Sequence, residues 1–366
     1  MHNIPRRRED DAPLGIGIIG GGDISARYAK CVASSTRFKL VGMAGRGDPT
    51  KELVANPLID IILNLTPPLA HADVSRLALA AGKHVYSEKP LSHDMATAQT
   101  LVAFAEKQGL TLACAPATFL GPAQQFARTR VDSGELGKII GARGIIMYRG
   151  PDLWHHNPAP LFGRAAGPLF DMGVYHISAL VALFGPIIDV YAMGSQAFSQ
   201  RRVCKGPRSG DVFDVTIPTH VSTIMRFENG AIADLVFSFD GMGSAAPALE
   251  IFGTDGCLSL PQPSLFRGTL QQATSYNAWR EFEAEALDWN DDLWIAGLHA
   301  MTDHLEGLDE PWPSHTMALH VLEAMICIET SIETGHKTSL TTSCDRPSQL
   351  KPSTDKRWAD YHRGVT

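Results

Sequence analysis

The order of apolar and polar positions divides the chain into two differently patterned parts. In the first, short apolar runs at residues 14–19, 38–44, 60–65, 84–86 and 110–115 are continuous rather than alternating, which predicts strands buried on both faces. Between them, residues 24–33, 70–81 and 95–108 read as helices, and the last two close on Gly82 and Gly109, as helix C-caps do. Strand and helix in alternation predict a doubly wound parallel sheet.

From about Phe119 the pattern changes. A helix at 122–133 leads to an alternating strand at 139–148 and then to a loop, 151–167, rich in Pro, His and Gly. A helix follows, entered past Gly167 and Pro168 and closed by Gly185. After it come strand candidates at 189–193, 220–227, 231–239, 249–253 and 257–260, few helices among them, which predicts a largely antiparallel sheet. A late helix at 315–334 ends at Gly335. The expected organisation is a mobile polar extension (1–13), a parallel-sheet domain (14–118), an α+β domain (119–345) and a loosely ordered tail (346–366).

Composition narrows the class. At 366 residues the chain is too long for one ordinary core, and 44% apolar with 19% charged residues is a soluble globular composition. A net charge of −7 gives no electrostatic case for nucleic acid or an anionic membrane, so the expected partner is a small molecule. No apolar run reaches roughly 18 residues, so no membrane span is expected. The six cysteines are scattered, without a C-x-x-C pair, and read as thiols in a reducing compartment. The opening segment has charges but no apolar signal core, and the cytoplasm is the expected location.

Three stretches carry candidate chemistry. After the first strand, Gly20, Gly22 and Ser25 occupy the G-x-G-x-x-(G/A) positions, with Asp23 and Ile24 opening the helix that follows. Such a turn lets the backbone approach a pyrophosphate seated on the helix N-terminus. An acid is expected at the end of the second strand to hold ribose hydroxyls, but the chain gives Ala44, Gly45, Arg46 and Gly47. A guanidinium without a carboxylate favours a 2′-phosphate, so NADP is preferred over NAD, with both left open. The strand at 84–86 stops at Ser87 and runs into Glu88, Lys89 and Pro90. Pro90 has no N–H to extend a ladder, so Lys89 is delivered to the sheet's carboxyl rim. Finally, Trp154, His155 and His156 in the Pro-flanked loop are candidates for a substrate wall; two adjacent histidines without a third ligand give no metal site.

Together the glycine turn, Thr66-Pro67-Pro68 with His71, the AGKHVYSEKP block ending at Pro90 and the GPLFDMGVYH block resemble the Gfo/Idh/MocA family of nicotinamide-dependent sugar and polyol oxidoreductases. The resemblance covers most of the chain. It implies an N-terminal Rossmann domain, a C-terminal domain on an open, mostly antiparallel sheet, and homo-oligomers formed through that sheet. It also implies that Lys89 is catalytic and that Thr66, Pro67, His71 and Glu88 surround the nicotinamide. The family pairs an Asp with a residue four positions later, usually His. Here Asp171 is followed at that spacing by Tyr175, with His176 displaced by one. A spacing of four keeps two side chains on one helix face, which assigns the acid/base to Tyr175, and a neighbouring ammonium favours a phenolate.

One departure stands out. Between the second and third strands the family has a helix, a short strand and another helix, whereas this chain has only residues 45–58. A shortened first sheet is therefore expected, on the side of the adenosine. The expected activity is hydride transfer between a nicotinamide cofactor and a sugar or polyol carbinol. The rival is a non-catalytic sensor of nucleotide or sugar with the same fold.

Overall fold

The computed structural model describes residues 12–45, 47–266, 268–276, 278–283, 294–308 and 312–349, and it divides into two compact units. In the first, strands β1 (Leu14–Ile19), β2 (Phe38–Ala44), β3 (Ile61–Asn64), β4 (His84–Ser87) and β5 (Leu112–Cys114) pair in parallel, in the order β2-β1-β3-β4-β5. Helices α1 (Asp23–Ser34), α2 (Asp48–Ala55), α3 (His71–Ala80) and α4 (Met95–Gln108) make the crossovers that parallel neighbours require. At α4 Gly109 closes the helix at φ +64°, as read from the sequence, and the structure adds an N-cap, Thr97 N–H donating to Asp94 Oδ1 at 2.8 Å. The strand order reverses between β1 and β3, the point at which open α/β sheets take ligands. Among the described residues the 45–58 connection holds only α2, and β2 is the edge of this sheet.

The second unit contains α5 (Pro122–Asp132) and α6 (Val174–Phe184) on a nine-stranded sheet. Its strands are β6 (Ile139–Met147), β7 (Ile187–Ser195), β10 (His220–Phe227), β11 (Ile232–Ser238), β12 (Leu249–Gly253), β13 (Cys257–Leu260), β14 (Thr269–Ala273), β15 (Trp279–Glu283) and β16 (Thr338–Ser339). They run in the order β15-β14-β13-β12-β6-β11-β10-β7-β16, with β6 and β11 parallel and all other pairs antiparallel. A separate hairpin joins β8 (Gln200–Arg202) to β9 (Val212–Asp214). The short or polar strands β8, β9, β14, β15 and β16 went unread because none carries a run of alternating apolar residues.

One boundary is corrected. The sequence reading gave all of 119–345 to the second unit, but α7 (Ala296–Leu305) and the chain up to Leu319, at the start of α8 (His315–Thr334), belong to the first. Ile295, Leu298 and Met301 share one core with Ile16, Ile18, Ile61, Leu63, Tyr86 and Ala113. A Cβ at Gly297 would lie 2.4 Å from Tyr86 Oη, so the helix sits directly on the sheet. Arg37 reinforces the attachment with ion pairs to Asp303 (2.8 Å) and Glu306 (3.3 Å). Among the described residues, no helix is long and apolar enough to cross a membrane. The extension 1–13 and the tail 346–366 lie largely outside the described residues.

Candidate functional site

In the first unit, β1, β3, β4 and β5 end together. Ile19 is level with Asn64, Asn64 with Ser87 and Ser87 with Cys114, so the segments after them emerge along one rim. After β1 the turn requires glycine: Gly20 has φ +143°, and a Cβ there would lie 2.4 Å from Leu65 O. Gly21 and Gly22 are exposed, with open space where a Cβ would stand. Gly22 caps α1 in an extended conformation, and no side chain caps the helix. This leaves the positive end of a twelve-residue helix facing an open cradle, which fits a pyrophosphate. Ser25 is buried at the third, close-packed position, and Ile24 is half-buried. Asp23 is the first residue of α1, and Arg46 lies outside the described residues.

The next segment along the rim is shaped by Asn64, a residue that sequence reasoning passed over. Its buried amide donates to His71 O (2.8 Å) and Ser75 Oγ (2.9 Å), and its Oδ1 accepts from Thr66 Oγ1 (2.6 Å). His71 is buried too, with Nδ1 2.6 Å from Pro90 O and Nε2 2.7 Å from Thr66 O. Both partners can only accept, so the neutral ring donates to one of the two carbonyls and lies against the other, between the loop after β3 and the loop after β4. Burial holds the His71 pKa below its ordinary value, against the opposing pull of the two carbonyls and of Glu88. Its two ring nitrogens are thus engaged within the fold. Pro67, by contrast, is exposed, and Thr66 half-buried.

Beyond β4, Glu88 accepts from Tyr28 Oη at 2.9 Å and from the Lys89 N–H at 3.2 Å, one bond to each carboxylate oxygen. Tyr28 is buried on α1, so the helix that begins at the glycine turn also fixes the residue beside Lys89. Lys89 itself is half-buried at the strand's carboxyl end. The signal for Asn64 was there, an amide closing an apolar strand. Tyr28 offered none, because it meets Glu88 across 60 positions of sequence.

In the second unit, Asp171 does not lie in an α-helix, as its spacing predicted. Residues Pro168–Gly173 form a wide π-helical turn that passes into α6, a feature frequent at functional sites. Asp171 and Tyr175 are both half-buried, whereas His176 is fully buried. His176 Nε2 donates to Ala248 O at 2.9 Å, and burial lowers its pKa to about 4, so it is a neutral core residue. The fit is close: a Cβ on Gly144 would lie 2.8 Å from the His176 ring. Trp154 and His156 are exposed and His155 half-buried, and the two imidazoles stack at 4.7 Å.

Fold and rim together define a chain with a dinucleotide-binding type of parallel sheet and a second, mostly antiparallel unit. Residues 48–115 match the oxidoreductase family with an NAD-binding Rossmann fold, and residues 124–259 match the GFO/IDH/MocA C-terminal domain. The chain belongs to the Gfo/Idh/MocA family. It is 22% identical over 291 residues to levoglucosan dehydrogenase of Pseudarthrobacter phenanthrenivorans, covering 67% of this chain and 73% of that one. It is 24% identical over 220 residues to scyllo-inositol 2-dehydrogenase (NAD(+)) of Bacillus subtilis, covering 60% and 58%. Across the curated relatives matched first, the chain spans 58% to 73% of their length. Among solved structures, an NAD-binding oxidoreductase from Klebsiella pneumoniae superposes with a TM-score of 0.77 at 22% identity, over 91% of this chain and 100% of its own, a likeness of fold.

Proposed function

We propose that this protein is a nicotinamide-dependent dehydrogenase that transfers hydride at a CH–OH centre of a sugar or polyol. The observation that carries the reading is the shared rim: Lys89 follows β4, two strands from the open glycine cradle that follows β1. The substrate class draws support from the relatives named for levoglucosan and scyllo-inositol. A bound nicotinamide dinucleotide supplies the hydride chemistry.

The chain's own residues do the rest. Gly20, Gly22, Asp23 and Ile24 receive the pyrophosphate, while Thr66, Pro67 and Glu88 border the nicotinamide half, with His71 holding their loops. In the oxidative direction Tyr175 Oη takes the substrate's hydroxyl proton and Lys89 Nζ stabilises the charge gathering on that oxygen. Asp171 orients the reacting groups, and Trp154, His155 and His156 wall the substrate. NADP stays the first choice over NAD on the guanidinium of Arg46, which follows β2 in the sequence, with Asp48 two residues on as the nearest carboxylate. Homo-oligomers form through the nine-stranded sheet, whose exposed Tyr191, Met193, Ile224 and Ile232 form an apolar patch.

The test follows nicotinamide absorbance across a panel of sugars and polyols, with NAD and NADP titrated separately. Turnover of at least one substrate is expected, and Lys89→Ala should lower kcat roughly 10³-fold with cofactor affinity retained. An unchanged rate in that variant removes Lys89 from the mechanism. The short 45–58 connection favours one rival, a sensor of the same fold; cofactor binding without turnover anywhere on the panel would select it.

A further inference from the structure

The loop bearing Trp154, His155 and His156 is held by the β8–β9 hairpin, an element of the second unit with no part in the chemistry above. Its anchor is Arg201, whose side chain is 3% exposed. One guanidinium nitrogen, Nη1, donates to Arg149 O (2.6 Å) and Asp152 Oδ1 (3.0 Å). The other, Nη2, donates to Phe239 O (2.7 Å) and Asp240 Oδ1 (2.5 Å). The rings of Phe162 and Phe198 lie 4.9 and 5.2 Å from the guanidinium carbon. A lysine could not reproduce this set, because only a planar fork reaches two carbonyls and two carboxylates at once.

From that anchor the hairpin follows the loop residue by residue. Cys204 N–H donates to Asp152 O at 3.0 Å. At Gly206 an added Cβ would lie 2.9 Å from His156 Cβ, so the turn rests against that histidine. At the tip, Arg208 Nη1 donates to Asn157 Oδ1 (2.9 Å), and Asn157 N–H donates to His155 Nδ1 (3.0 Å). Residues 149, 152, 156 and 157 are thus all gripped by one element. The side chains between them are not sunk into a core: Trp154 remains 55% exposed. A loop required only for packing would bury its indole. Here a buried charge network fixes the backbone while aromatic faces are presented outward, which is how a recognition surface is preorganised.

We propose that the β8–β9 hairpin, through Arg201 and Arg208, is the positioning element that sets substrate selection, holding Trp154, His155 and His156 rigid against the ring of a sugar or cyclic polyol. The inference rests on the dehydrogenase reading, and Arg201 and Arg208 act through the loop rather than on the reacting atoms. The test uses the full chain, the best sugar from the panel, cofactor titration, and hydrogen exchange of peptides covering 150–157. Arg208→Ala should raise KM for the sugar about fivefold or more, with kcat within about twofold. Cofactor affinity should be unchanged and exchange over 154–157 faster, while Arg208→Lys, which keeps a donor for Asn157, should recover part of the KM. Arg201→Met and Arg201→Lys should both raise KM further. If those two do not fold, Arg208→Ala decides alone. An unmoved KM and unmoved exchange in Arg208→Ala, or a fall in kcat at constant KM, overturns the inference while a turning-over wild type leaves the dehydrogenase reading standing. A wild type inactive on every sugar overturns both.

Discussion

Tyr28 Oη donates to Glu88 Oε1 at 2.9 Å, joining the helix that starts at the glycine turn to the residue beside Lys89. The bond locks the two ends of the proposed cofactor site to one another through a buried phenol. Tyr28→Phe keeps the ring packing and deletes only the donor. Expected are a stability loss of about 1 kcal/mol and a several-fold weaker nicotinamide dinucleotide affinity, read from denaturant midpoints and fluorescence titration. Unchanged affinity would mean that Glu88 keeps its place without the phenol.

Gly20 and Gly22 should fail in different ways. A Cβ at Gly20 meets the Leu65 carbonyl in a backbone conformation that L residues rarely adopt, so Gly20→Ala is expected to cost ~3 kcal/mol or more and lower the yield of folded protein. At Gly22, φ is −90° and the added methyl points into open space. Gly22→Ala should therefore leave the thermal midpoint nearly unchanged and weaken cofactor binding roughly tenfold or more, because the methyl takes the room the pyrophosphate needs.

Tyr175 and His176 are neighbours with opposite expectations. Tyr175→Phe should fold normally and lower kcat by roughly 10²–10⁴-fold, the range for losing a positioned acid/base. His176→Ala removes a buried ring and leaves the Ala248 carbonyl with the Ile145 N–H but without the imidazole, at a cost of roughly 2–4 kcal/mol, mostly for the cavity. Stopped-flow kinetics and thermal melts on the two variants separate the roles. If His176→Ala loses activity at temperatures where it is fully folded while Tyr175→Phe keeps it, the acid/base assignment moves by one residue.

Stability should depend on pH from both sides. Burial lowers the pKa of His71, His299 and His320, and brings His84 and His176 to about 4. The unfolded chain takes up protons at these residues near 6.5 that the fold refuses, so their contribution is complete above that value and is lost as pH falls toward 4. Glu329 has the reverse sign: burial, with Glu333 adding to it and Arg164 opposing, pushes its pKa up to about 7. Its contribution is complete below the ordinary 4.5 and disappears as pH rises through 7. Thermal midpoints should fall steeply below pH 6, and Glu329→Gln should raise the midpoint at pH 8 but hardly at pH 4.5. Equal gains at both values would exclude Glu329 as the source.

Much of this was legible in the linear order of residues. The parallel sheet, the glycine turn, the strand that delivers Lys89 and the shortened 45–58 connection all follow from local features: continuous apolar runs, a glycine motif, a proline after a lysine and a short count of residues. Around Asp171 the structure differs from the reading: the helix opens with a π turn that no periodicity announced, with Tyr175 half-buried and His176 buried just beyond it.

What only the tertiary structure decided involves partners far apart in sequence. The α7 helix joins the first unit because its apolar face matches strands that precede it by some 200 residues, and an amphipathic helix does not state which sheet it will cover. The same holds for Tyr28 with Glu88, for Asn64 and His71 bracing the rim loops, and for Arg201 with two aspartates on either side of it. Pattern along a chain records which surfaces must be buried and which turns are permitted. It does not record which buried donor meets which acceptor, because that pairing is fixed only when the layers close.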